Sequence, residues 1–313
     1  MWIRRFLAIA ALVLVTLALV GFGFERIAQA GDAQRYPPPG RLVDIGGHRL
    51  DLLCSGAGSP TIILEAGLGE SALGWAQVQR SLARTARVCS YDRAGMAWSD
   101  RYTRPRTATN VADELQVLLS ASGESGPYML VGHSIGGLFV RRFAAAYPHD
   151  VIGIVLVDPT DPEAIRAAGY PWPAIVQSRI QGILGELGVV RLFGRTLVPS
   201  AVGASPPSEV LDAVPILYGP QSQATAVAEL DASVTSADEV LAADATGYLT
   251  NLPLVVISSA DDSNPARTAN ERLAHLSLQG RHLVATKGGH YVHYDDPQLV
   301  ADAIRDLVGL TRI

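Results

Sequence analysis

A serine set between glycines carries the clearest chemical signal in the sequence. The run Gly132-His133-Ser134-Ile135-Gly136 follows an apolar segment and opens an amphipathic one. This Gly-x-Ser-x-Gly spacing is typical of a strained strand-to-helix turn that exposes the serine hydroxyl, with glycines where backbones pass closely. At a helix start, the backbone amides and the helix dipole favour developing negative charge. We therefore predict that Ser134 is a nucleophile.

A serine hydroxyl is a weak nucleophile and needs a base, which in this topology comes near the end of the chain. Gly288-Gly289-His290 follows the last predicted strand and precedes the last predicted helix. The two glycines leave room for a loop histidine to reach inward, so we predict His290 as the base. His293 is the competitor, and we expect it to be a surface or supporting histidine.

The acid that orients the base must lie between serine and histidine in chain order. A predicted strand at 254–259 ends in Ala260-Asp261-Asp262, and we predict Asp262 as the acid. Asp261 is the local alternative. Asp158, at the end of the preceding strand, is the distant alternative, because a carboxylate there could also reach a histidine. Aspartates that do not serve are expected to cap loops.

Two backbone amides are needed to hold an oxyanion. We expect one from Ile135, directly after the nucleophile. The other should come from the loop Ala66-Gly67-Leu68-Gly69, where glycines on both sides would let the Leu68 amide point into the site.

These residues follow short, mostly apolar runs that suit strands buried on both faces of a parallel sheet. A Gly46-Gly47 hairpin signal separates the first two runs. Helical patterns separate most of the others, so the sequence predicts an α/β sheet with right-handed crossovers. The predicted strands are 41–45, 48–54, 61–65, 87–92, 128–132, 152–158, 254–259 and 281–286, and the predicted helices are 75–84, 110–120, 135–147 and 297–308.

One stretch breaks this alternation. More than 90 residues without a convincing buried strand lie between Asp158 and Leu252, with helical patterns at 177–187 and 224–243. We interpret residues 161–250 as a helical insertion, which divides the core into 41–160 and 251–313. Four aromatic residues of the insertion could line a pocket, but we expect them to form its own core: Tyr170, Trp172, Phe193 and Tyr218.

The N-terminus is a separate segment. Arg4 and Arg5 precede the uncharged run from Phe6 to Phe24, which as a helix nearly spans a hydrocarbon core. The arginines favour a cytoplasmic N-terminus and an extracytoplasmic remainder. We predict an uncleaved signal anchor, with a secreted or periplasmic protein cleaved near Ala30 as the alternative. Residues 1–40, including a proline-rich spacer, are thus set apart from the fold.

Composition excludes several classes of protein. Of the 313 residues, 48% are hydrophobic and 18% are charged, which excludes a disordered chain. The net charge of −5 and the lack of a basic block argue against a nucleic-acid partner. Two cysteines are too few for a four-cysteine zinc site, and no His-Glu-x-x-His pattern occurs, so we expect no metal and no cofactor.

From residue 41 onward, the sequence resembles the α/β-hydrolase-fold serine hydrolases. Five ordered stretches carry the resemblance: 64–69, 91–100, 132–137, 155–159 and 289–297. It implies an eight-stranded core with a helical cap after strand six. It also supports His290, seven residues before Pro297, and Asp262, nine residues after Pro253. One departure is Ala97, where similar sequences often have glycine, which puts the backbone geometry of that loop in doubt.

The resemblance also implies chemistry and a crosslink. Serine at the elbow, where related epoxide hydrolases and dehalogenases use aspartate, implies ester hydrolysis through an acyl-serine. Relatives that cleave amides, terminal peptide bonds or carbon–carbon bonds, and binding proteins with little turnover, are the alternatives. Neighbouring strands two and four in the family's sheet would bring Cys54 near Cys89, and an extracytoplasmic compartment favours a disulfide.

Overall fold

The computed structural model describes residues 1–261 and 264–311. Eight strands form one sheet in the order β1-β2-β4-β3-β5-β6-β7-β8. β2 is antiparallel to β1 and β4, and every other pairing is parallel. This confirms the predicted eight-stranded, mostly parallel sheet. The strands are β1 (Arg41–Asp44), β2 (Arg49–Ser55), β3 (Thr61–Glu65), β4 (Arg87–Tyr91), β5 (Tyr128–His133), β6 (Val151–Val157), β7 (Leu254–Ser258) and β8 (Gly280–Val284).

The central strands are apolar because helices cover both faces of the sheet. Every residue of β3, β5 and β7 is buried, and so are six of the seven residues of β6. A single 3₁₀ turn, Ala72–Trp75, precedes the third helix. The α-helices are α1 (Trp2–Gln29), α2 (Asp32–Arg35), α3 (Ala76–Leu82), α4 (Ala108–Ser122), α5 (Gly136–Ala146), α6 (Pro162–Ala168), α7 (Trp172–Glu186), α8 (Val189–Val202), α9 (Ser208–Asp212), α10 (Val214–Leu217), α11 (Pro220–Asp231), α12 (Ser233–Asp244), α13 (Asn264–Ala274), α14 (Val292–Asp295) and α15 (Pro297–Thr311).

The segment between β6 and β7 contains α6 to α12 and no strand. The predicted helix at 224–243 is two helices, α11 and α12, which meet at Ala232. The exact limits 161 and 250 of the inserted cap stay a prediction. α13 is absent from the predicted helices because Leu273 is its one large apolar side chain, which gives no apolar stripe.

The loop that contains Ala97 adopts the backbone geometry that glycine would favour. Ala97 has a φ of 41°, in the left-handed region that is costly for a residue with a Cβ. Its N–H donates to Ser222 Oγ of α11 at 3.0 Å. A hydrogen bond to the cap therefore accompanies the strained residue, and the departure from glycine leaves the turn intact.

Within the described residues, one helix is long and apolar enough to cross a membrane. α1 contains an 18-residue window of mean hydropathy 2.6, and none of that window is buried against the rest of the chain. Its C-terminal end contacts the cap, where Arg191 of α8 forms ion pairs with Glu25 and Asp32 at 2.8 and 2.7 Å. Arg26 pairs with Glu186 at the end of α7 at 2.7 Å.

Cys54 and Cys89 lie opposite each other on the paired strands β2 and β4 and form a disulfide. The bond links residues 35 apart in sequence. A crosslink of this span lowers the conformational entropy of the unfolded chain.

We expect the double variant Cys54→Ser/Cys89→Ser to lower the free energy of unfolding by roughly 2–4 kcal/mol, as measured by urea denaturation in detergent. Reductant should cause the same loss of unfolding free energy in the wild type and no further loss in the double variant. Two free thiols in denatured, unreduced wild type would contradict the crosslink.

Candidate active site

Ser134 lies at a sharp turn between β5 and α5. Its φ is 52°, a left-handed conformation that a residue with a side chain rarely adopts. A Cβ on Gly132 would lie 2.7 Å from the carbonyl oxygen of Gly136, and one on Gly136 would lie 2.5 Å from the oxygen of Ala66. Both glycines are therefore needed for the close packing that holds the serine at the head of the helix.

The imidazole of His290 lies between a serine and an aspartate. Its Nε2 is 3.0 Å from Ser134 Oγ, and its Nδ1 is 2.6 Å from Asp158 Oδ2. Because a carboxylate only accepts, Nδ1 carries the proton and leaves Nε2 free to accept from the serine hydroxyl. This arrangement can activate a hydroxyl for attack on a carbonyl.

The loop after β6 places the carboxylate of Asp158 on His290. Asp158 has a φ of 43°, and its Oδ1 accepts the N–H of Ser259, at the end of the neighbouring strand β7, at 3.2 Å. The sequence favours Asp262 for this position, and Asp262 lies outside the described residues. Asp261 is exposed on the surface. The carboxylate that contacts Nδ1 of His290 is therefore that of Asp158, the distant alternative in the sequence.

Arg93 fixes the loop that we expect to hold an oxyanion. Its guanidinium is buried, and its five N–H groups bond to the carboxylates of Glu65 and Glu229 and to the carbonyl oxygens of Ala66 and Gly67, at 2.7–2.9 Å. Glu65 belongs to β3 and Glu229 to α11. One side chain therefore joins the sheet, the loop and the cap.

The bond from Arg93 to Gly67 also orients the next amide. In a trans peptide the C=O and the following N–H point in opposite directions. The Gly67 carbonyl faces Arg93, so the N–H of Leu68 faces away from it. Among the described residues, no hydrogen bond uses the N–H of Leu68 or Ile135 as donor. Both amides are available to a ligand.

A second polar cluster lies next to Ser134. Glu70 Oε2 accepts the N–H of Gly67 at 2.6 Å and lies 2.6 Å from Nδ1 of His133, the residue before Ser134. Nε2 of His133 is 2.9 Å from the carbonyl oxygen of His290. Glu70 Oε1 is 3.3 Å from Nε2 of His293. The cluster thus connects the loops that carry Leu68, Ser134 and His290.

Charge within this cluster follows from its burial and its contacts. Burial alone would lower the pKa of His133, but the adjacent Glu70 carboxylate raises it above the usual value. Burial opposes the charge of Glu70, yet the two imidazoles hold its pKa well below the usual range. Burial and the neighbouring His133 lower the pKa of His293 to about 4. Both ring nitrogens of His133 face acceptor oxygens, of Glu70 and of the His290 backbone, which is the geometry of a doubly protonated imidazole paired with Glu70 beside a neutral His293.

Glu70, His133 and His293 are also of the residue types that bind metal ions. Their donor atoms all lie within 4.8 Å of one another. The oxygen of Glu70 nearest to His133 lies at hydrogen-bond distance from an imidazole nitrogen and also from the N–H of Gly67. We therefore interpret the group as a hydrogen-bonded cluster. Cys54 and Cys89, which lie beside Glu124, are joined in the disulfide.

A cavity of roughly 400 Å³ lies between the core and the cap. Its inner end is formed by Leu68 and Gly69 of the proposed oxyanion loop and by Tyr291, the residue after His290, and α7 and α8 form its outer walls. Tyr218 lines the cavity, which is the first of the two alternatives given for the aromatic residues of the cap. The prediction that Tyr170, Trp172 and Phe193 form the core of the cap is wrong, because their exposed fractions are 43%, 62% and 56%.

The chain belongs to the α/β-hydrolase fold family, whose sequence model matches residues 60–297. YqjL of Bacillus subtilis is 27% identical over 258 residues, which cover 80% of this chain and 85% of that protein. A stretch of 125 residues, 37% of the chain, is 40% identical to the probable transporter efuK of Hormonema carpetanum and covers only 18% of it.

Solved structures share the fold. The thermophilic esterase from Thermogutta terrifontis, with malate bound, superposes with a TM-score of 0.64 at 21% sequence identity. The superposition covers 87% of this chain and 98% of that one.

Sequence reasoning gave no role to Glu70, His133, Arg93 or Glu229. Two of them carried a usable signal, since His133 lies inside the elbow motif and Glu70 directly follows the glycine-rich loop. His293, which we expected at the surface or in support, is buried and contacts Glu70.

The lowered pKa of His293 makes stability depend on pH. Between about pH 6.5 and pH 4 the unfolded chain takes up a proton on this residue that the folded chain refuses, so acidification destabilises the fold. At about 1.4 kcal/mol per pKa unit, this contribution is at most about 3.5 kcal/mol. We expect His293→Gln to reduce the loss of unfolding free energy between pH 7 and pH 4, measured by urea denaturation in detergent.

The matched control is His149→Gln, which replaces an exposed histidine and should leave the acid-induced loss as in the wild type. An unchanged loss in His293→Gln would show that His293 is not held neutral in the folded protein.

Proposed function

We propose that the protein is a serine hydrolase that cleaves carboxylic esters through an acyl-serine intermediate. The observation that carries this proposal is the hydrogen-bonded series Ser134–His290–Asp158, with its two distances of 3.0 and 2.6 Å. Membership of the hydrolase family and the shared fold of the Thermogutta esterase support it.

The first half of the reaction forms the acyl-enzyme. Ser134 Oγ attacks the ester carbonyl while its proton passes to His290 Nε2. The N–H groups of Leu68 and Ile135 hold the resulting oxyanion. The imidazolium is stabilised by Asp158, which also keeps the proton on Nδ1. His290 then protonates the leaving alcohol as the tetrahedral intermediate collapses.

Water completes the cycle. His290 takes a proton from water, which attacks the acyl-serine carbonyl, and the second tetrahedral intermediate is held by the same two amides. Its collapse releases the carboxylic acid and returns the proton from His290 to Ser134. The same residues could cleave amides or carbon–carbon bonds. An ester is favoured because its alcohol leaves more easily than an amine or a carbanion, and His290 is sufficient as the acid that protonates it.

A hydrolase-fold binding protein with little turnover is the alternative of a different class. It would not require a complete nucleophile, base and acid. The positive φ angles of Ser134 and Asp158 favour the catalytic interpretation, because backbone strain of this kind clusters where reactive groups must be held in place.

Three substitutions test the assignment on p-nitrophenyl butyrate. Ser134→Ala should lower kcat by several orders of magnitude, because the nucleophile is lost. Asp158→Asn should lower kcat by about 10³–10⁴-fold, because the amide favours the wrong tautomer of His290. Asp262→Asn tests the acid favoured by the sequence, and we expect it to stay within about threefold of the wild type.

Asp261→Asn is the matched control for charge, since this exposed aspartate follows the same strand as Asp262. Equal rates in the wild type and Ser134→Ala would refute catalysis by this site. A large loss in Asp262→Asn together with a small loss in Asp158→Asn would return the acid to Asp262.

We further propose that α1 is retained as a membrane anchor with the catalytic domain outside the cytoplasm. Glu25 supports this, because its side chain is buried against the cap and accepts two hydrogen bonds from Arg191, both at 2.8 Å. Cleavage near Ala30 would leave Arg191 with Asp32 alone. The two arginines before the apolar run favour a cytoplasmic N-terminus and therefore a catalytic domain outside the cytoplasm.

Mass spectrometry of the mature protein decides between anchor and signal peptide. We expect the N-terminal residues 1–30 to be present and the protein to stay in the membrane fraction after a carbonate wash. A mature N-terminus at Gly31 would end the anchor proposal.

A further inference from the structure

The outer surface of the cap is apolar where a water-facing surface would be polar. Among the described residues after α1, nine of the thirteen exposed large hydrophobic side chains lie between residues 170 and 197. We call the following set the α7–α8 apolar face: Trp172, Val176, Ile180 and Ile183 of α7, with Leu192 and Phe193 of α8. These six side chains are 49–62% exposed.

The pattern along α7 shows that this exposure is systematic. Its buried residues are Ile175, Ser178 and Gly185, which lie on one side of the helix. The residues of the apolar face recur at steps of three and four on the opposite side. A helix at a water surface places polar residues there. Apart from Ile175, the larger apolar side chains of α7 therefore lie on the outside.

The anchor helix ends beside this face. The start of α8 is held to the end of α1: Arg191 forms an ion pair with Glu25 of α1 and another with Asp32 of the following helix α2. The turn between α7 and α8 also contacts α1. A Cβ on Gly21 of α1 would lie 2.5 Å from the oxygen of Leu187 in the same turn. A membrane that contains α1 therefore lies next to α7 and α8.

The apolar face is continuous with the cavity. Leu184 of α7 and Leu197 of α8 are 38% and 54% exposed, and both also line the cavity. At its inner end the same cavity is lined by Leu68. Exposed leucines of both helices therefore lie at once on the outer surface of the cap and in the wall of the cavity.

We propose that the α7–α8 apolar face lies in the lipid interface of the membrane and that the cavity takes a bilayer-resident ester with a long acyl chain. The proposed membrane contact is argued only from the α7–α8 apolar face and the anchor helix. The proposed substrate class rests on the ester hydrolysis proposed above. The lipid is favoured over a second copy of the chain because α1 brings any surrounding bilayer against these two helices.

A fluorescent label tests the membrane contact without any catalysis. The native cysteines form the disulfide, so a single new cysteine can be labelled with nitrobenzoxadiazole in the full-length protein. Phe193→Cys is compared with Leu278→Cys, which is 82% exposed and precedes β8. In phosphatidylcholine vesicles, nitroxide-bearing lipids should quench the label at 193 at least twofold and leave that at 278 unchanged.

Three outcomes would overturn the contact. The label at 193 could stay unquenched, which places the face in water. Both labels could be quenched equally, which removes the specificity of the face. An emission shift at 193 that vanishes on dilution of the protein in lipid, without quenching by nitroxide lipid, would show a second copy of the chain as the occupant.

Two esters test the substrate class. p-Nitrophenyl palmitate in vesicles is the bilayer-resident substrate, and p-nitrophenyl butyrate is the soluble one. The variant Ile180→Ser/Phe193→Ser should lower the rate on the palmitate at least tenfold and keep the butyrate rate within twofold. Leu278→Ser is the matched control and should change neither rate.

Failure of this proposal differs from failure of the proposed function. Equal losses on both esters in Ile180→Ser/Phe193→Ser, or no loss on either, would overturn delivery from the membrane while ester hydrolysis stands. Turnover of both esters that is unaffected by Ser134→Ala would overturn the catalytic assignment, and the label at 193 would still decide the membrane contact.

Discussion

The site depends on one buried guanidinium. Arg93 uses all five of its N–H groups, on two carboxylates and two carbonyl oxygens. Burial of three charges is costly, and only complete pairing and hydrogen bonding offset that cost. Loss of the cation would leave Glu65 and Glu229 unpaired and release the peptide that turns the Leu68 amide away from Arg93. Stability and the geometry of the oxyanion loop are therefore set by the same contact.

Two of the proposed catalytic residues have strained backbones. Ser134 and Asp158 both have positive φ, at the ends of the adjacent strands β5 and β6. Strain of this kind typically costs 1–3 kcal/mol per residue and persists only where the surroundings enforce it. The N–H of each residue donates to the strand beyond: Ser134 to Val157 and Asp158 to Ile257. The sheet thus holds both of these side chains at its carboxyl edge.

Local signals explain what the sequence predicted. Ser134, His290 and most strand positions follow from patterns within ten or so residues. The acid could not be chosen in this way, because Asp158 and Asp262 each follow one of two neighbouring strands and only the course of each loop decides which reaches His290. Arg93 and Glu229 are 136 residues apart, and no local pattern pairs them. The exposed faces of α7 and α8 resemble buried ones in sequence, since apolar periodicity does not tell which side meets water.

The cap contacts the core on its inner side and leaves apolar side chains on its outer side. Some of the inner contacts are apolar: Val210 and Leu217 belong to one cluster with Leu73, and Val240 belongs to another with Phe139. α11 is also tied through the ion pair of Glu229 with Arg93. α7 turns Ile175 inward with the small residues Ser178 and Gly185, and its other large apolar side chains lie outside, on the side where the anchor helix ends. Because the cap already has apolar and polar contacts with the core, the apolar side chains outside are not needed to attach it, which favours the proposed contact with lipid.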